Sequence, residues 1–253
     1  LNFHAIYLYS SSSTFDLRSC TFTDCTNGNS ATYCMMLDVS SFNFMYNTIK
    51  FTDAGQSCKC IYFGSYSKHV YHGNTFQNII NNVVDNSPII HETNSYKYVT
   101  ITNNTFNAVS GTSNSRCIYV KVSASGYLTF SNNTFKNCLR GGFLAKIEMH
   151  YEVAEYTLDS FCFISNRQCD QQISTYQSSP PILIEKNNNQ QIRLIYKNCL
   201  FQDNSNDARG GGGMHYKNLV SKANYKLTFK SCRFIGNTAS SSGGALFLEI
   251  DKD

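Results

Sequence analysis

Val99-Thr100-Ile101-Thr102-Asn103-Asn104-Thr105-Phe106 returns as Leu128-Thr129-Phe130-Ser131-Asn132-Asn133-Thr134-Phe135. In both stretches apolar residues alternate with polar ones, the period of a strand that buries one face. Each then reaches an Asn-Thr-Phe triplet. Outward from these two copies the triplet recurs as Cys20-Thr21-Phe22, Asn47-Thr48-Ile49 and Asn74-Thr75-Phe76, then in looser form as Phe161-Cys162-Phe163, Cys199-Leu200-Phe201 and Cys232-Arg233-Phe234. Successive anchors lie between 27 residues (Phe22 to Ile49) and 38 residues (Phe163 to Phe201) apart. Such a repeat, constant in pattern and variable in length, is that of a solenoid whose insertions go into loops.

Two more columns keep phase with the anchors. Five residues before each stand Leu17, Phe44, Tyr71, Ile101, Phe130, Leu158, Tyr196 and Phe229; seven before stand Phe15, Phe42, His69, Val99, Leu128, Tyr156, Leu194 and Leu227. His69 alone breaks the apolar run. A second strand follows each anchor, with inward pairs such as Ile6/Leu8, Met35/Leu37, Ile61/Phe63, Pro88/Ile90, Ile118/Val120, Ala145/Ile147 and Ile182/Ile184. Helical periodicity is missing throughout. The pattern predicts an all-β chain, residues 1–253 forming one single-stranded right-handed parallel β-helix of about eight to nine coils. At roughly 4.8 Å per coil it makes a rod on the order of 40 Å long. Asn47, Asn74, Asn104 and Asn133 fall at a bend, where side-chain amides can bond one another up the stack and an Asn tolerates left-handed geometry.

Composition narrows the function. The 21 Lys and Arg against 17 Asp and Glu leave a net charge of +4 with no basic run, which speaks against nucleic acid as a partner. Eleven cysteines suit an oxidising compartment. The closest pair, Cys58-Lys59-Cys60, is no CxxC, and the six histidines are scattered, so neither zinc nor any other metal or cofactor is expected. Asn103-Asn104-Thr105 and Asn132-Asn133-Thr134 are glycosylation sequons, with Asn103 and Asn132 as acceptors. Stacking places Cys199 over Cys232 and Cys34 over Cys60 within disulfide reach, although stacked cysteines also serve as small buried apolar residues. An odd total leaves at least one thiol free or paired outside the chain. Because the chain opens and closes within coils, a segment of a longer protein is expected, touching a membrane only through parts outside these residues.

Near the C-terminus, Phe234-Ile235-Gly236-Asn237 and Gly243-Gly244-Ala245-Leu246 resemble the FxxN and GGA(I/L/V) motifs of polymorphic outer membrane protein repeats, similar also to repeats in large surface proteins of trichomonad-like protists. Phe163 to Asn166 and Phe201 to Asn204 repeat the first motif. Gly141-Gly142-Phe143-Leu144 and Gly212-Gly213-Met214-His215 are looser versions of the second. The resemblance implies an extracellular or cell-surface β-helix of the adhesin type, and it carries over no catalytic residues.

Chemistry is sought on the outward positions of the second strand. One column places Glu148 next to Glu185, near the separation of about 5 Å that a retaining glycosidase uses, with one carboxyl raised in pKa by its neighbour. The alternative is a ladder of surface ion pairs, with Lys121 beneath Glu148 and Lys217 above Glu185. The other column reads Tyr7, Met36, Tyr62, Ile89, Tyr119, an apolar strip that either takes a partner or is covered by a loop. A one-residue register error would turn it into core. Arg209 to Gly213 lacks a Walker lysine and reads as a flexible loop. The Gln/Ser-rich insertion from Asn166 to Pro181 reads as a protruding loop, where recognition tends to reside. The expectation is an adhesion or structural module that meets a host or neighbouring cell-surface protein or glycan, and further coils of its own chain or a homo-oligomer. The alternatives are a polysaccharide-acting enzyme using Glu148 and Glu185, or a subunit of a surface filament.

Overall fold

The computed structural model of the chain describes residues 6–25, 33–51, 59–63, 68–81, 89–111, 117–140, 144–149, 155–168, 181–186, 193–207, 211–217 and 226–249. Every regular element among them is a β-strand, and the strands stack in parallel as a β-solenoid. One turn begins with a strand such as Lys68–His72 and bends into the three-residue anchor strand Thr75–Gln77. It bends again into the two-residue Ile80–Asn81 and, after a connection of variable length, enters Ile90–Thr102. That strand runs on without a break as the first strand of the next turn. Stacking therefore builds a long wall of eleven strands, an anchor wall of eight and a short wall of six.

Four consecutive turns, anchored on Phe76, Phe106, Phe135 and Phe163, have all their described strands joined within these three walls. This is fewer than the eight to nine coils read from the sequence. The first two turns carry no described strand in the short wall. In the last two, the second strands Met214–Lys217 and Leu246–Glu249 form a separate sheet.

Alternation decides which face is core. Phe42, Phe44, Tyr71, Val99, Ile101, Leu158 and Tyr196 from the long wall are buried with the anchor aromatics Phe76, Phe106, Phe135, Phe163 and Phe201. Adjacent anchor rings stack, Phe76 on Phe106 at 4.9 Å and Phe106 on Phe135 at 5.0 Å between centroids. The register forces this, since each anchor aromatic sits opposite the next. His69 keeps its inward place, fully buried between Phe42 and Val99, with Nε2 3.5 Å from the Val39 carbonyl oxygen.

The bends are held by buried asparagines. Asn47, Asn74, Asn104 and Asn133 form the expected ladder: the Asn104 side-chain carbonyl accepts both the backbone N–H and the side-chain amide of Asn74, and the Asn104 amide donates to Asn133 Oδ1. The left-handed residue is not the ladder asparagine but the one before it, Tyr46, Gly73, Asn103 or Asn132. A second ladder was not expected. At the other bend Cys138 N–H donates to Asn166 Oδ1, Asn166 to Asn204 and Asn204 to Asn237. Asn166 is therefore buried structure and not the start of a loop; residues 169–180 of that insertion lie outside the described residues.

Two further readings are corrected. Ile90, expected opposite Phe63, stands opposite Ile61 and Ile118, so the pairing assigned to Pro88/Ile90 is displaced by two residues. The glycines 211–213 are buried, not a flexible loop. A Cβ on Gly212 would collide with the Thr238 carbonyl oxygen and lie 2.6 Å from that of Gly244. Only a residue without a side chain lets these backbones approach.

Candidate functional site

The outward face of the long wall begins with the second-strand column. Its register runs Tyr7, Met36, Tyr62, His91, Tyr119, Lys146, Leu183. Ile89 is not part of it: it is buried two positions earlier, in a column with Cys117 and Leu144, and His91 takes the expected place. The side chains of Tyr7, Met36 and Tyr62 lie outside the described residues. Tyr119 is half-buried and Lys146 is buried, so at these turns the column is a sheltered face.

The neighbouring column brings Lys121, Glu148 and Glu185 opposite one another on three successive strands. Lys217 stands opposite Glu249, on a strand with no described pairing to that of Glu185. Lys146 Nζ lies 2.8 Å from Glu148 Oε1, two residues along the same strand and therefore on the same face. Burial pushes the Glu148 carboxyl up. The hydrogen bond and charge of Lys146, a hydrogen bond from Tyr119 and the charge of Lys121 outweigh that push and hold it below the ordinary carboxylate range. A general acid needs the opposite shift, so the raised pKa expected for this pair is not found at Glu148. The Glu185 side chain lies outside the described residues.

A second outward column, on the strands that lead into the anchors, is more exposed. Ser41, Lys68, Tyr98 and Tyr127 stand opposite one another, and Glu155, Arg193 and Lys226 continue the line. Tyr98 is 50% and Tyr127 63% exposed, yet their rings stack at 5.5 Å between centroids with planes 13° apart. Beside them, two residues along each strand, Thr100 and Thr129 stand opposite each other, and Thr157 also lies exposed on the outward side. At the bend Tyr46, 56% exposed, meets His72 edge-on at 5.3 Å, and His72 Nδ1 is 2.9 Å from Thr102 Oγ1. The result is a surface of tyrosine rings among hydroxyls, closed on one side by the Arg193–Glu155 ion pair at 3.2 Å. Sequence reasoning missed Tyr98 and Tyr127. The available signal was two tyrosines at the same outward phase in adjacent copies, each immediately before an inward apolar residue.

The sequon asparagines Asn103 and Asn132 are exposed and occupy left-handed bend positions on neighbouring turns. Cys199 and Cys232 stack on neighbouring turns with their thiols donating to backbone carbonyls, Cys199 to Leu158 and Lys197, Cys232 to Tyr196 and Lys230. Burial is the main reason that the Cys199 thiol is pushed up to about 12. Cys34 and Cys60 lie between paired neighbours, Tyr33 with Lys59 and Met35 with Ile61, which places their backbones opposite; their side chains are outside the described residues. Among the described residues no group of three His, Cys, Asp or Glu could hold a metal, and no helix is long and apolar enough to cross a membrane. No family model, no curated protein and no solved structure matches the chain.

Proposed function

We propose that the protein is an extracellular or cell-surface β-helix that acts as an adhesion module, with glycan on a neighbouring or host cell as its partner. The observation that carries this reading is the exposed, stacked pair Tyr98 and Tyr127 beside the outward threonines of the same turns. Apolar ring area together with hydroxyls that donate and accept is the chemistry a sugar presents in return: C–H faces for the rings, hydroxyls for the threonines. The pair sits on strands locked by parallel pairing above and below, so its geometry is set before any ligand arrives. Eleven cysteines and two exposed sequons support an extracellular setting. We take the coil as right-handed, as parallel crossovers overwhelmingly are.

The polysaccharide-acting alternative is the weaker reading, because Glu148 is held as a carboxylate by Lys146. Titration of the purified chain against a glycan panel, followed by calorimetry on any binder, tests the proposal. Tyr127→Ala and Tyr98→Ala should each weaken binding roughly tenfold, about 1.4 kcal/mol, and leave the circular-dichroism spectrum unchanged. Turnover of a polymer that Glu148→Gln abolishes, or glycan binding indifferent to both tyrosines, would overturn it.

A further inference from the structure

Each of the two sequons is wrapped around the first bend of its turn, so its three residues meet different surroundings. The acceptors Asn103 and Asn132 are exposed at the corner, in left-handed geometry with φ of 58° and 55°. The residues after them, Asn104 and Asn133, are ladder members at 1% and 0% exposure. Thr105 and Thr134 open the anchor strands and stand opposite each other. Other turns place Tyr46, Gly73 and Ser160 at the same corner, and Tyr46 projects there with 56% exposure, so the packing leaves room for a bulky group. Asn103 Nδ2 lies 3.4 Å from His72 Nδ1, a contact that needs only one of its two N–H groups. The backbone, by contrast, is tied to both neighbouring turns. Asn104 N–H donates to Asn133 Oδ1 at 3.0 Å, Thr105 N–H to the Asn74 carbonyl at 2.8 Å, and Thr134 N–H to the Asn104 carbonyl at 2.8 Å. In the second sequon, Asn132 N–H donates to the Asp159 carbonyl at 3.0 Å and the Asn133 carbonyl accepts Cys162 N–H at 3.1 Å.

We propose that Asn103 and Asn132 are N-glycosylated, and that the glycans are attached before the turns that carry them close. The side-chain nitrogen of each acceptor bonds to the anomeric carbon of an oligosaccharide carried on a lipid pyrophosphate. The bond from that carbon to the pyrophosphate oxygen breaks, the oxygen keeps the electron pair, and one amide proton passes to a base; nothing is oxidised or reduced. An enzyme that selects Asn-x-Thr must hold all three residues in one site. In the closed fold this would draw Asn104 or Asn133 out of the ladder and strand buried N–H and C=O groups that water cannot reach. The unfolded chain carries no such cost. Once folded, the exposed acceptors hold their glycans at the corner of two neighbouring turns, where backbones lie roughly 4.8 Å apart. The edge between the long wall and the anchor wall is then closed to contact with another protein chain.

This inference rests on the extracellular reading for the compartment that supplies the enzyme and its donor, but its chemistry is tested apart from it. The 253-residue chain is translated behind a cleavable secretory leader in the presence of microsomes, and the products are digested and mapped before and after peptide-N-glycosidase. Glycans on both Asn103 and Asn132 are the expected result, with Asn103→Gln and Asn132→Gln each removing one and the double variant both. A translocated chain left unmodified at either acceptor overturns the proposal for that acceptor. For the order of events, the same chain is refolded without glycans and offered to solubilised microsomal oligosaccharyltransferase with its lipid-linked donor. The refolded parent should gain neither glycan, whereas refolded Asn104→Ala, which keeps Asn-x-Thr but loses the ladder side chain, should gain one on Asn103. A refolded parent modified as fully as the nascent chain overturns the claim that attachment precedes closure. Glycans on the microsomal product but none on native protein would sink the extracellular setting and leave the sites standing.

Discussion

Asn104 Oδ1 accepts the backbone N–H of Asn74 at 3.0 Å and the side-chain amide of Asn74 at 2.9 Å, while the Asn104 amide reaches the Tyr71 carbonyl at 3.0 Å. One buried side chain therefore satisfies polar groups of the turn below it that water cannot reach. Asn104→Ala leaves at least the Asn74 N–H and the Tyr71 carbonyl without these partners. At about 1–3 kcal/mol for each stranded group, the expected loss is roughly 2–5 kcal/mol, read as a lowered midpoint in urea. A midpoint shift below about 1 kcal/mol would mean that the ladder contributes no net stability.

Phe106 lies between two stacked rings and has no exposed surface. Phe106→Ala should cost about 3–5 kcal/mol, the lost transfer energy plus the cavity that rigid parallel walls cannot close. Phe106→Leu should cost markedly less. Equal losses for the two substitutions, measured by chemical denaturation, would show that ring stacking and not volume is at stake.

Acidification tests the Lys146–Glu148 pair. The Glu148 pKa is lowered in the folded chain, so its stabilising contribution is fully present above the ordinary carboxylate value and is lost as pH falls through the depressed one. Glu148→Gln should be less stable than the parent at neutral pH, because Lys146 keeps its burial and loses its counter-charge. The gap between the two should shrink as pH drops below about 4. Parallel stability-against-pH curves would disprove the pairing.

Gly212→Ala should prevent the last turns from closing, because its methyl group would sit on the Thr238 carbonyl oxygen. The expected readout is loss of protease resistance in residues 211–249, with the anchors up to Phe163 still protected. The groups the methyl meets are backbone carbonyls of Thr238 and Gly244, so it fits only if the backbones of these two turns move apart.

The inward columns were legible because alternation and side-chain volume repeat at a fixed distance from each anchor, and Phe76, Phe106 and Phe135 indeed fall in register. The third second-strand was misplaced for a physical reason. A slip of two residues leaves inward and outward parity unchanged, so period alone could not distinguish Pro88/Ile90 from the true alignment, in which Glu92 faces Phe63. Ile89 then escaped because it turns inward just before its strand begins, as Cys117 and Leu144 do, and alternation does not describe such corners. The ladder of Asn166, Asn204 and Asn237 was visible as FxxN but was read only as a family motif, without the hydrogen bonds that its spacing makes possible. Tyr98 and Tyr127 required the outward phase of the strands before the anchors, where most copies carry charged or small polar residues.

The two asparagine ladders exchange corners within a single turn. Asn133 ends the first at one bend, and Cys138, five residues later, begins the second at the other. Under tension along the rod, load borne by amides on one edge must cross that turn to reach the other edge. The shaft thus has a splice, and the anchor strand Thr134–Lys136 lies between the two corners, sharing the load with the paired strands of the other two walls.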